Sequence, residues 1–234
     1  MNLLALDTST SFAAVAVGLT DGSVLAASID PTQKHGRNLV PAIRQVLELA
    51  GLRVTDLGGI AVGLGPGSYT GLRIGLTAAK TLAYAASIPL VALNSLEILA
   101  TNAPESALRV AVIADAQRGE VYAADFARQH SGGLLVALGL TTIIPISQWL
   151  SHLQPETVCL GPAFDRGMIT VPDGIERGTD HPDPTRLMAL SRRVWQSGKR
   201  EDPWFLEPFY LRRSAAEDLW DARPTSTRSA SDGH

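Results

Sequence analysis

A chain of 234 residues, 45% hydrophobic and 18% charged, can bury the core of one large domain or two small ones. Its formal charge of −3 supplies no basic field for phosphates, which disfavours autonomous nucleic-acid binding and leaves contact through a partner. No apolar run reaches the roughly 18 residues of a membrane span, MNLLALDTSTSF lacks a basic leader, and one cysteine, Cys159, excludes an internal disulfide, so a reducing, cytoplasmic setting with no membrane contact is expected.

The apolar run NLLALD, the polar residues Thr8 to Ser11 and the apolar run FAAVAVGL read as strand, turn, strand. Asp21-Gly22 is a hairpin signal, and SVLAASI is the next strand. From His35 to Ala50, Leu39, Val40, Ile43, Val46, Leu47 and Ala50 recur at helical spacing, and Gly51 stops the helix. GGIAVGLG is a buried strand, a glycine-rich turn leads into a helix from Tyr69 to Ser87, IPLVAL is a strand, and Asn94 or Ser95 caps a short helix through Leu99.

At Arg109 the pattern starts again. RVAVIAD ends in Asp115, AQRG turns, and EVYAADF returns, as LLALD and AAVAV do at the start. GGLLVALGLTTI reads as a strand, Ser147 to Leu153 as a short helix, TVCLG as a strand and Pro184 to Gln196 as a helix. Two alike openings predict an internal repeat and an α/β fold of two mixed-sheet lobes. The boundary falls between Thr101 and Leu108, giving lobes 1–103 and 104–213, and the polar residues 214–234 are expected to form a largely disordered tail.

GLGPGSYTGLRIGLTAAKTLA, residues 63–83, poses the sharpest question. Gly65, Gly67 and Gly71 miss the dinucleotide-binding spacing, and no G-K-[ST] follows, so a phosphate loop is disfavoured. Pro66 and Gly67 suit a tight turn, with Ser68 or Thr70 capping the helix. Gly71 and Gly75 lie inside that helix, where each costs about 1 kcal/mol against alanine unless close packing offsets it. With Ala79 and Ala83 they form a strip of small residues beside Leu72 and Leu76. Either the fold itself covers both strips or one receives a foreign helix.

Candidate chemistry is sparse. His35, His130, His152, His181 and His234 are scattered, with no zinc-enzyme spacing, and there is no G-x-S-x-G elbow. Cys159, in TVCLG, reads as a buried inert thiol. Asp7 and Asp115 each end an apolar strand at a turn; they either cap those turns or, with Thr8 and Ser9, face a magnesium-nucleotide between the lobes. Arg212 and Arg213 are candidates for contact with RNA, or else solvated or bonded to helix ends.

LLALDTST, GLGPGSYTGLRIGL, DAQRGEVYAADF and PFYLRRSAAEDLW, in that order, resemble the bacterial TsaB (YeaZ) family of tRNA threonylcarbamoyladenosine biosynthesis proteins, with only the residues after Trp220 outside the likeness. The resemblance implies a two-lobed actin-like ATPase fold, related to ribonuclease H, and a non-catalytic role beside a homologous transferase, TsaD, that modifies N6 of adenosine 37 in tRNAs reading codons that begin with A. It also implies a TsaE-type ATPase in the complex, tRNA met only there, no intrinsic cofactor though the complex admits a nucleotide, and a homodimer when the transferase is absent.

The transferase holds metal partly through H-x-E-x-H, and SLEIL stands in the matching place here, with Ser95 and Leu99 where histidines would be and Glu97 alone retained. That departure supports a scaffold, because a hydroxyl and an isobutyl group cannot replace two imidazoles on a transition metal. In this family the first-lobe helices form the contact with the transferase or with a second copy. The implied interface is Leu39, Ile43, Val46 and Leu47 on one helix and Gly71, Leu72, Gly75, Leu76 and Ala79 on the next, with Gly75→Leu expected to block association and leave the fold intact. The alternatives are an ATP-binding enzyme of the kinase-like fold, acting through Asp7, Thr8, Ser9 and Asp115, and a metallopeptidase.

Overall fold

A computed structural model describes residues 1–29, 32, 35–164, 169–173 and 175–212. The first half runs β1 (Leu3–Asp7), β2 (Ala13–Gly18), β3 (Val24–Ile29), α1 (His35–Leu49), β4 (Gly59–Gly63), α2 (Tyr69–Ala86), β5 (Leu90–Leu93) and α3 (Ser95–Ala100). The second runs β6 (Arg109–Asp115), β7 (Glu120–Ala127), β8 (Val136–Ala137), β9 (Thr142–Pro145), α4 (Ile146–His152), β10 (Thr157–Leu160), β11 (Glu176–Arg177) and α5 (Pro184–Gln196).

β1, β2 and β4 are buried at every position, as strands are when both faces of their sheet are covered. The first sheet has the order β3-β2-β1-β4-β5, antiparallel across β1 to β3 and parallel from β1 to β5. The second has β8-β7-β6-β10-β11 with the same directions, and β9 also pairs with β7. The repeat read from the two alike openings is therefore a repeat of sheet topology, in an α/β fold of two mixed-sheet lobes.

Alternation along each central strand feeds two cores. Leu4 and Leu6 join Val15, Ile60 and Val62 beneath α1 and α2, whereas Leu3 and Ala5 join Ala14, Ala61 and Val91 beneath α5, which supplies Leu187, Met188 and Leu190. In the second sheet, Val110, Val112 and Phe126 pack against Leu96, Leu99 and Ala100 of α3. Ala111 and Ile113 face Trp149 of α4 and Phe164. Each half thus lends one helix to the other's sheet. The loop around residues 103 and 104 divides the strands but not the helical layers.

Arg192 of α5 locks this exchange by donating from Nη1 to the Gly22 carbonyl, 2.9 Å, and from Nη2 to the Leu19 and Ser23 carbonyls, 3.0 and 3.1 Å, in the β2–β3 hairpin. After α5 the chain returns along the first lobe. Glu201 N donates to the Leu90 carbonyl (2.9 Å), Lys80 Nζ to the Leu206 carbonyl (3.0 Å) and Phe209 N to the Leu64 carbonyl (2.8 Å).

Two element expectations need correction. GGLLVALGLTTI is not one strand: β8 and β9 flank a break at Gly139 and Leu140, and Leu134, Val136, Leu138 and Leu140 point into solvent while Leu135 packs on the core of the second sheet. The two-residue β11 was not anticipated, because nothing in its sequence, Glu176-Arg177, looks like a strand. The expected disordered tail, 214–234, and Arg213 lie outside the described residues.

Candidate functional site

The glycine-rich segment is built around the chain's own β1 turn. A Cβ on Gly71 would overlap the Thr8 carbonyl, one on Gly75 would overlap Thr8 Oγ1, and one on Gly67 would overlap the Ser9 carbonyl. The bare backbone lets the N-terminal turns of α2 close over residues 8 and 9. Thr8 Oγ1 donates to the Gly71 carbonyl (2.7 Å), Ser68 N donates to the Ser9 carbonyl (2.7 Å), and Ser68 Oγ caps the helix by accepting from Gly71 N (3.2 Å).

This geometry narrows the expected interface, leaving Leu39 and Ile43 at the floor of an open groove and turning the glycine strip inward. Gly71, Leu72, Gly75, Leu76 and Ala79 of α2, and Leu39, Ile43, Val46 and Leu47 of α1, are all buried in the chain's own fold. The small-residue strip faces β1 and its turn, so no helix can enter there. Gly75→Leu would break the fold rather than leave it intact, since the new side chain meets Thr8 and Leu6.

The open side of the same helix pair lies a quarter-turn away. A groove of about 750 Å³ runs between α1 and α2, with Leu39 and Ile43 reaching its floor. Val40 stands on one wall, 66% exposed; Ile74, Ala78 and Leu82, spaced by four along α2, form the other with Thr77 and Thr81. Among the described residues, Arg73 is the one charged lining residue. Its Nη1 donates to Tyr69 Oη (3.0 Å), its guanidinium lies 5.3 Å from the Tyr69 ring centroid, and that ring stacks on Tyr210 at 5.2 Å. The strip 74, 78, 82 precedes the glycine strip by one residue, a periodicity legible in the sequence but overshadowed by the glycines.

Between the lobes a cleft of about 500 Å³ is lined by Ser9, Thr10, Ser68, Asp115, Arg118 and Tyr210, among others. Of the four residues considered for a nucleotide, Ser9 and Asp115 reach it, while Asp7 and Thr8 lie beneath. Asp7 Oδ1 accepts from Ser9 N (3.1 Å) and Ser9 Oγ (2.6 Å), and Oδ2 accepts from Ser95 Oγ (2.7 Å). Asp115 Oδ1 accepts from Gln117 N (2.6 Å), heading a turn in which Gln117 and Arg118 hold φ at +63° and +57°. Both acids thus cap their turns, the first of the two roles left open for them. Arg212 is ion-paired with Glu120 across the mouth of the cleft.

In SLEIL both Ser95 and Leu99 have structural roles. Ser95 Oγ accepts from Gly65 N (3.0 Å) while donating to Asp7, and Leu99 is buried in the core of the second sheet. Glu97 accepts from Arg193 Nη2 at 2.6 Å, joining α3 to α5. Among the described residues no three His, Cys, Asp or Glu side chains are placed to hold a metal ion. His181 sits in an exposed loop, its Nδ1 2.6 Å from Asp180 Oδ1. Cys159 is fully buried, and burial, with the Asp125 carboxylate adding to it, pushes its thiol up to about 12. No helix among the described residues is long and apolar enough to cross a membrane.

Comparison with known proteins bears on this geometry. Residues 28–151 match the family model described as TsaD, tRNA N6-adenosine threonylcarbamoyltransferase. The chain is 34% identical to the tRNA threonylcarbamoyladenosine biosynthesis protein TsaB of Bacillus subtilis, covering 94% of this chain and 98% of that protein. It is 37% identical to TsaB of Escherichia coli, covering 92% and 96%. The solved structure of YeaZ from Pseudomonas aeruginosa superposes with a TM-score of 0.79 at 28% identity, over 90% of this chain and 99% of that one.

Proposed function

The chain belongs to the TsaB family of tRNA threonylcarbamoyladenosine biosynthesis proteins, and on that premise we propose that it is a non-catalytic subunit that docks a TsaD-type transferase through the α1–α2 groove. The observation that carries this reading is the groove itself: an apolar trough on a helix pair, with Val40 exposed and Ile74, Ala78 and Leu82 half-buried along its wall. Such a trough suits an amphipathic helix laid along it. The loss of two imidazoles at Ser95 and Leu99, and the pairing of Glu97 with Arg193, favour a scaffold over a metalloenzyme.

On this reading the chain works in the cytoplasm, needs no cofactor of its own and meets tRNA only within the complex. A TsaE-type ATPase joins that complex, and any nucleotide it uses is held with a partner's residues. Without the transferase, two copies of this chain occupy each other's grooves, so homodimer and heterodimer exclude one another by sharing a patch.

The test is a titration of the transferase with the Val40→Asp and Thr77→Arg variants, both at exposed positions. Each should weaken binding by about 30-fold or more while leaving the melt unchanged, because a charge or bulk placed in a desolvated centre costs about 2 kcal/mol or more. Wild-type affinity in both folded variants would remove the proposal.

A further inference from the structure

Arg212 pairs with Glu120 at the cleft between the lobes, and that cleft shares Tyr69 with the end of the groove. Tyr210 stacks on Tyr69, which lines the groove's end, and Arg212, two residues on, is the last described residue. Beyond it lie 22 residues in which Leu219 and Trp220 are the only large apolar side chains, set in AAEDLWDA, Ala215 to Ala222, with three acids and no base. The groove is apolar, with Arg73 lining it and exposed Arg37 at the start of α1 beside its Gly36 wall.

We infer that residues 215–222 dock into the α1–α2 groove of their own chain, seating Leu219 and Trp220 on its apolar floor with Glu217, Asp218 and Asp221 toward Arg37 and Arg73, and so compete with the partner. The inference rests on the groove being the docking site proposed above. Reach permits it: seven or eight residues past Arg212 extend to about 25 Å at ~3.3 Å per residue, against about 20 Å of α2 from Tyr69 to Leu82 at ~1.5 Å per residue. Tethering supplies an effective concentration on the order of millimolar, so even weak contacts close the groove part of the time. Charge of opposite sign on ligand and rim selects this acidic segment over the basic remainder of the tail.

The experiment uses the full chain with Thr77→Cys as a reporter on the groove wall. Cys159, the one native thiol, is buried and stays silent. Replacing Leu219 and Trp220 by alanine should raise the labelling rate at position 77 about fivefold, the factor expected when a groove closed four-fifths of the time is freed. Partner affinity should tighten by the same factor. Protection by the tail is intramolecular and so persists on dilution, whereas protection by a second copy is lost; a labelling rate unmoved by the alanine pair at dilutions where the chain is a monomer overturns the inference. A labelling change without any transferase binding by either chain would uphold the tail contact and sink the docking function instead.

Discussion

The two halves of the molecule share a strand order and differ in what covers it. In the first, α1 and α2 lie side by side over Leu4, Leu6, Ile60 and Val62, and their crests remain open as a groove. In the second, the seven-residue α4 and the single 3-10 turn Pro162–Phe164 cover Ala111 and Ile113, with Trp149 and Phe164 packed against each other at 6.1 Å. A duplicated sheet is a scaffold that conserves its own hydrogen bonding; what is laid over it is free to change, and an apolar groove arises in the half with two long helices.

The sharpest way to break this comparison is Gly75→Leu. The larger side chain must displace Thr8, so the first lobe should lose about 3 kcal/mol in a denaturant melt, whereas Gly139→Ala in the second half, with open space around it and ordinary backbone, should stay within about 0.5 kcal/mol. Next is partner affinity. Val40→Asp should lower it about 30-fold, while Leu140→Asp, at a 91% exposed position of the second half, should leave it unchanged; equal losses would mean that the groove is not what distinguishes the halves.

Ser95→Ala tests the seam between the halves. It strips a donor from Asp7 and an acceptor from Gly65 N in a buried place, for about 2 kcal/mol, read as a lower denaturation midpoint. Smallest is Arg193→Ala, which breaks a partly exposed pair with Glu97 and should cost about 0.5 kcal/mol, screened by salt; a much larger loss at low salt that high salt abolishes would show that α3 and α5 depend on charge rather than on Leu96, Leu187 and Met188.

Much of this architecture was legible in residues alone. Period-two and period-3.6 patterns located β1 to β7, α1, α2 and α5 almost to the residue, and Asp21-Gly22 announced its hairpin. GGLLVALGLTTI failed because apolar content predicts burial only where something stands opposite, and little covers the outer edge of β7. The glycine strip within the candidate interface is more instructive. Gly71 and Gly75 did signal close approach, but of Thr8 from the same chain, more than sixty positions away.

Local pattern therefore determined which segments are helix or strand, that the chain repeats itself, and that α2 carries one side of hydrogen atoms and another of Ile74, Ala78 and Leu82. Only the packed structure decided which side meets the sheet, which helix crosses to the other half, and which surface stays open. The physical reason is that periodicity records the character of each face of an element, whereas the identity of its neighbour depends on contacts between residues far apart in the chain.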